Sequence, residues 1–455
     1  MSDHDHDHEI PPLPQHLIDE AEGGCEESRL LINRRSLLGM SAGLFAWAHI
    51  PRHAEAAGTE PRLLIVILRG GMDGLHVAVP LNDPNYAKLR GNLAFDTSKM
   101  LPLTSEFSIN PIMPNFQKMF LAKDASLVQA IAPPLRRRSH FEALYNIESG
   151  LPGAGPRSST SGWLNRLLQQ LPVGNAVQMD ALHIGPTPMI LAGAAPVLSW
   201  TNVSKYHTQL NEPLVSLYKN TDPRLAELLQ RGLLADSLAT SGTTAATQSA
   251  DKGISAVRLN FRGAARMMRA PTGPRIAVLD IGGWDTHVSQ TSILSSKLSD
   301  LDSAMQDFRN EMGAAWANTA VICVTEMGRT AAVNGSGGTD HGDASIAFLL
   351  GGAIAGGKVW GDWPGLANAS LTDGRSLKAT TDMRAVFKGL LADHLGVPTF
   401  ILDNSVFPAS KATLAMKDLL KSPMTRDERV FVAKDIPAGG AGSSLADFRQ
   451  QFGNG

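Results

Sequence analysis

Cysteine is nearly missing from this chain, with two residues in 455, Cys25 and Cys323. A disulfide-stapled fold is thereby excluded. Charge of one sign is missing too, since a net charge of -2 carries no basic excess. That argues against nucleic acid or anionic lipid as the main partner. No apolar run is long enough for a confident membrane-spanning helix, and no internal repeat or coiled-coil pattern occurs. Charged residues at 18% beside hydrophobic residues at 43% exclude general disorder. What remains is a chain with ample apolar content for one large domain or two smaller ones.

The start of the chain has the order of an export signal. Arg34 and Arg35 precede an uncharged, mostly apolar stretch, Leu37 to Ile50, and Ala54-Glu-Ala56 supplies a small-x-small cleavage pattern. The paired arginines point to the twin-arginine route. Its export machinery is then a partner, and the destination is periplasmic or secreted. Residues 1–56 are expected to be removed, leaving 57–455 with no spanning helix. Cys25 and the metal-capable start His4-Asp-His-Asp-His8 go with the signal. Cys323, inside an apolar run, is expected to be a buried core residue.

Beyond the signal, short apolar runs end in glycine and acid. Arg62–Leu68 leads into Gly70-Gly-Met-Asp73-Gly74, Ile276–Ile281 into Gly282-Gly-Trp-Asp285-Thr-His287, and Ala320–Thr325 into Glu326-Met-Gly-Arg329. Gly338-Thr-Asp340-His341-Gly342 follows, before the run Ser345–Leu350. Continuous apolar runs bounded by glycine predict buried parallel strands. Further strands are expected at Leu127–Ile131, Ala181–Gly185 and Pro196–Trp200. Between Ile293 and Met312 apolar residues recur at four- and three-residue steps, which predicts an amphipathic crossover helix. Helices are also expected from Ser139, with Glu142 completing a capping box, and over Asp382–Leu395, capped by Thr381. A loop excursion is expected near 237–256 and a flexible glycine-rich tail near 436–444. The fold class is α/β: a mainly parallel sheet flanked by helices in a single domain over 57–455.

In such sheets ligands bind beyond the carboxyl ends of the strands, so these loops can converge. Asp285 and His287 offer oxygen and nitrogen to one cation, or else hydrogen-bond to each other across a turn. Asp73 between glycines fits a ligand or an Asx turn. Asp340-His341 is a second acid–imidazole pair. Glu326 and Arg329 fit both a ligand with an anion clamp and a plain ion pair three residues apart. Ser139-His140, after Arg136-Arg-Arg138, is the nucleophile candidate at a helix N-terminus that favours anions. His183 and His394 have no evident partner and are expected to be structural.

Six segments occur here in order: Leu68-Arg-Gly-Gly-Met-Asp-Gly74, Arg138-Ser-His-Phe141, Gly283-Trp-Asp-Thr-His287, Thr325-Glu-Met-Gly-Arg-Thr330, Gly338-Thr-Asp-His-Gly342 and Thr380-Thr-Asp-Met-Arg384. Together they resemble the bacterial twin-arginine-exported family of unknown function numbered fifteen-oh-one, itself similar to the alkaline phosphatase and sulfatase superfamily. The resemblance spans nearly the whole of 57–455. It implies an alkaline-phosphatase-like core with a twin metal site and hydrolysis of phosphate or sulfate esters. Asp73 would bind one metal, Asp285 and His287 the other, Ser139 would attack, and His341 would be the final histidine ligand. Met327 stands where that superfamily places a histidine.

The expectation is an exported hydrolase of small anionic esters. It has a divalent metal of the zinc, manganese, iron or calcium group on Asp73, Asp285, His287, Glu326, Asp340 and His341, with Ser139, His140 and Arg329 catalytic. The alternative is a non-catalytic exported binding or assembly protein that keeps the fold.

Overall fold

Seven consecutive residues, Arg62–Leu68 (β1), form a strand buried along its whole length. A strand covered on both faces needs apolar residues without alternation, and this segment supplies them. In the computed structural model eight more strands join it: β2 (Ala125–Ala132), β3 (Ala181–Ile184), β4 (Leu198–Trp200), β5 (Ile276–Ile281), β6 (Thr319–Val324), β7 (Ser345–Leu350), β8 (Val359–Trp360) and β9 (Thr381–Asp382). Their order is β8-β2-β7-β6-β1-β5-β3-β4, with β9 also on β2. The structure describes residues 60–422 apart from 137, 154–158, 171–180, 185–187, 196, 201–214, 216, 220, 241–252 and 272. All of these belong to one unit, Arg52–Gly455. The signal region 1–56 and the tail near 436–444 lie outside the described residues.

Helices cover both faces. The described helices that matter here are α1 (His140–Ser149), α2 (Trp163–Leu168), α3 (Pro223–Thr240), α4 (Ala256–Arg269), α5 (Gln290–Met312) and α6 (Met383–His394). Leu64, Val66 and Leu68 of β1 pack with Phe261 and Met268 of α4 and with Leu294, Leu298, Leu301, Met305 and Phe308 of α5. The alternate residues Leu63, Ile65 and Ile67 pack with Trp163 and Leu167 of α2 and with Val386, Phe387 and Leu390 of α6. Each such side chain, fully withdrawn from water, contributes about 1.5–3 kcal/mol, so both faces help to hold the sheet. Cys323 is buried in β6, and its thiol is pushed up by that burial.

Local expectations shift in detail. Helix α3 continues to Thr240, so the start of the expected excursion near 237–256 is helical; 241–252 lies outside the described residues. Helix α6 is capped by Asp382, whose carboxylate accepts from the Arg384 amide, and Thr381 is drawn into β9 instead. Ser139 is the N-cap of α1, but its side chain makes no capping hydrogen bond. The crossover from β5 through α5 to β6 leaves β1 between the two strands.

Direction decides where the polar loops go. β1, β3, β4, β5 and β6 are parallel, and β7 alone pairs antiparallel with its neighbours β6 and β2. The carboxyl ends of β1, β2, β5 and β6 therefore share one edge with the amino end of β7. The loops after Leu68, Ala132, Ile281 and Val324, and the loop before Ser345, all open there.

Candidate metal centre

Three histidines and one aspartate meet at that edge. His140 begins α1, Asp285 and His287 follow β5, and His341 precedes β7. The Nε2 atoms of His140 and His341 are 2.9 Å apart, and those of His287 and His341 are 3.1 Å apart. The Asp285 carboxylate lies 3.0 Å from His287 Nε2, 3.2 Å from His341 Nε2 and 3.4 Å from His140 Nε2. Ligands on a tetrahedral zinc at 2.0–2.1 Å are about 3.3–3.4 Å from one another, so His140, Asp285 and His341, whose ligand atoms all lie within 4.8 Å of one another, have nearly the size of a coordination shell, and His287 joins them through His341 and Asp285.

The far side of each ring explains why the near sides meet. His140 Nδ1 is 2.8 Å from Glu326 Oε1, His287 Nδ1 is 3.2 Å from Asp340 Oδ1, and His341 Nδ1 is 3.0 Å from the Arg138 carbonyl oxygen. Carboxylates and carbonyls only accept, so each Nδ1 donates. In the neutral rings the Nε2 atoms are then the free acceptors, and those of His140 and His341 face each other beside the Asp285 carboxylate, with that of His287 against His341. Such a set calls for a cation, and acceptors behind ligand imidazoles are the usual partners of metal sites. Zinc, manganese and iron suit this nitrogen-rich set; calcium, which takes oxygen, does not.

The backbone permits the convergence through close approaches. A side chain on Gly70, which has φ +125°, would put its Cβ 2.5 Å from the Asp285 amide nitrogen. A Cβ on Gly338 would lie 2.4 Å from the His287 backbone. Helix α1 is tied to the sheet by Arg69, which pairs with Glu148 of α1 at 2.7 Å and with Asp280 of β5 at 3.0 Å. Asp285 and His287 keep about two fifths of their side-chain surface exposed, so the cluster opens to solvent.

Several expected site residues stand elsewhere. Asp73 lies outside the cluster and is buried. Its Oδ1 accepts from the amides of Leu75 and His76, and its Oδ2 accepts from Arg90 Nη2 at 2.5 Å and Gln290 Nε2 at 2.6 Å. Four donors saturate this carboxylate. Burial opposes its charge, yet the Arg90 guanidinium holds its carboxyl below the usual range. Glu326 is fully buried, with Oε1 accepting from the Gly70 amide as well as facing His140. Asp340 also receives Asn334 and Arg375. Both acids thus face the backs of imidazoles instead of the common point. Arg329 is buried and holds Asp285 and the Thr339 carbonyl, so it faces no open anion site. Met327 is buried in the core.

Charge reinforces the arrangement. Burial works against the Asp285 carboxylate, but the bond and charge of Arg329, then His287 and His140, hold its carboxyl below the ordinary range. His140 is raised above the ordinary imidazole value, chiefly by its bond to Glu326. Gln290, Thr339 and Arg90 carry this scaffold and have no distinguishing sequence pattern. His183 is buried 3.7 Å from Asp280, and His394 is buried with Nε2 bonded to the Arg62 carbonyl.

A profile for the family described as "Protein of unknown function (DUF1501)" matches residues 131–399. No curated protein matches the chain. Among solved structures, the C-terminal periplasmic domain of EcEptC from Escherichia coli, in complex with zinc, is 8% identical. That match covers 65% of this chain and 74% of that one, with a TM-score of 0.31. The phosphonate monoester hydrolase of Agrobacterium radiobacter is 11% identical over 73% of each chain, with a TM-score of 0.33. A protein in the alkaline phosphatase superfamily from Vibrio parahaemolyticus is 11% identical over 69% of each, with a TM-score of 0.29.

Proposed function

The chain belongs to the DUF1501 family, and from that premise we propose that it is an exported, metal-dependent hydrolase of phosphate or sulfate esters. A single divalent metal of the zinc, manganese or iron class is held by His140, Asp285, His287 and His341. The observation that carries this reading is the group His140, Asp285 and His341, whose ligand atoms all lie within 4.8 Å of one another, with His287 against two of them and an acceptor behind each imidazole Nδ1. When bound, the metal supplies Lewis acidity toward an ester oxygen and stabilises developing negative charge.

The chain's own residues do the rest. Ser139 is the nucleophile: it stands beside His140 at the start of α1, and its hydroxyl is not spent on capping. The first-turn amides of α1 favour the anionic group of the substrate. With Arg329 committed to Asp285, Arg138 holds that anion; it stands two residues before His140, is one third exposed, and is now paired with Asp373 and Asp343. Glu326 and Asp340 orient His140 and His287. Export rests on the arginine pair and apolar stretch at 34–50, and among the described residues no helix is long and apolar enough to cross a membrane.

The test is elemental analysis of the untagged protein beside its Asp285→Ala, His287→Ala double variant, followed by a screen of phosphate and sulfate esters. One equivalent of metal, lost in the double variant, with turnover that needs that metal and Ser139, is the expected result. Folded wild type that takes up no metal refutes it. A second reading follows if His287 joins His140, Asp285 and His341 on the metal, because four protein ligands are the count of closed structural zinc sites. An exported binding or assembly protein with a structural metal would bind one equivalent and hydrolyse none of the esters.

A further inference from the structure

Behind the metal centre runs a buried polar chain centred on Gln290, which bonds to none of the four proposed ligands. Gln290, the first residue of α5, is fully buried. Its Oε1 accepts from Thr286 Oγ1 at 3.0 Å and from Thr339 Oγ1 at 2.6 Å, and its Nε2 donates to Asp73 Oδ2 at 2.6 Å. Thr286 lies between Asp285 and His287, and Thr339 stands two residues before His341. Two backbone bonds follow the same seam, Gln290 N to Gly337 O at 3.1 Å and Thr339 N to Thr286 O at 3.1 Å. Thr339 Oγ1 also receives Arg329 Nε at 3.3 Å, and Arg329 holds Asp285.

We propose that Gln290 is a positioning residue for the metal centre, setting the separation of the two loops that carry Asp285, His287 and His341, with Asp73 as its anchor. The proposal rests on the metal-centre reading above. One amide does this because it offers opposite polarities at its two ends. The oxygen gathers a hydroxyl from each loop, while the nitrogen is pinned to a carboxylate that Arg90 keeps charged. The Asp73 carboxylate therefore acts on the centre through Gln290 and not by ligation. Ser289 assists by turning the backbone with φ +49° directly before Gln290, which stands three residues after His287.

The test is zinc affinity of the full chain by competition with a chelator, taking the Asp285→Ala, His287→Ala variant as the baseline without the centre. Gln290→Ala is expected to weaken zinc about 10–100-fold, the usual effect of losing an outer-shell partner, while stoichiometry stays at one. Gln290→Met, which keeps most of the volume, is the second variant if the alanine form does not fold. Asn165→Ala is the control: Asn165 is equally buried and holds the Leu191 and Ala195 carbonyls away from the centre. It is expected to leave zinc affinity unchanged. Zinc binding as tight in Gln290→Ala or Gln290→Met as in wild type overturns the positioning role alone, and so does equal weakening in the Asn165→Ala control. Wild type that binds no zinc above the baseline overturns the metal centre with it.

Discussion

Replacing Asp73 with Asn changes one buried charge and almost no shape. Oδ1 of Asp73 serves two backbone amides, and an amide oxygen can still do so. Oδ2 accepts from Arg90 and Gln290, and an amide nitrogen there is a donor facing two donors. Arg90 has no exposed surface, its Nε already has no partner, and its Nη1 reaches only the carbonyls of Thr330 and Ala331 at 3.5 and 3.4 Å. Its charge is left uncompensated. Removing one member of a buried pair costs about 3–5 kcal/mol, a factor of roughly 10²–10⁴ in the unfolding equilibrium. That is a large part of the ~5–15 kcal/mol by which domains are stable. Urea unfolding followed by tryptophan fluorescence measures it. The pH dependence adds a second signature. Because the folded carboxyl lies below its ordinary value of 3.8, wild type holds this stability above that value and loses it as pH falls through the lower folded one. The Asn variant lacks that loss. A change under about 1 kcal/mol, in the range of an exposed pair, would refute the assignment of Asp73 to a buried ion pair. Loss of all bound metal without loss of stability would restore it as a ligand.

Two further outcomes are expected. Burial lowers the His394 imidazole to about 4 from an ordinary 6.5. Wild-type stability should therefore fall as pH drops through that window, by about 3 kcal/mol at most; His394→Gln should flatten the slope in urea midpoints measured from pH 4 to 8. Gly338→Ala would set a Cβ 2.4 Å from the His287 backbone, so the loops must part. Metal content should drop below one equivalent, and an unchanged equivalent would show that the seam can relax.

Much of the framework is legible because its signals are local. Unbroken apolar runs such as Arg62–Leu68 and Ser345–Leu350, closed by glycine, mark buried strands, and the spacing of Leu294 through Met312 marks α5. Strand direction is not local: nothing in Ser345–Leu350 says that it runs against its neighbours, yet that reversal brings His341 to the shared edge before its strand begins. The acids carry no local signal that separates them. Asp73, Glu326 and Asp340 have the same chemistry as Asp285, and only partners distant in sequence separate them. Arg90 occupies Asp73, His140 lies over Glu326 from 186 residues away, and His287 over Asp340 from 53. His140 is adjacent to Ser139 in the sequence, but its place in the cluster depends on where β2 ends. Gln290 carried no signal beyond being a polar residue at the start of an amphipathic helix.

His140 and His341 are 201 residues apart in sequence, yet their rings touch. A metal on both would close a loop of that length, and in the chain-entropy picture a covalent tie of that span removes about 5 kcal/mol of freedom from the unfolded chain. Cys323, buried in its strand, offers no such tie. The metal would stand in for the disulfide as the clasp between early and late segments, making loading and folding one equilibrium, complete only after β7 has entered the sheet.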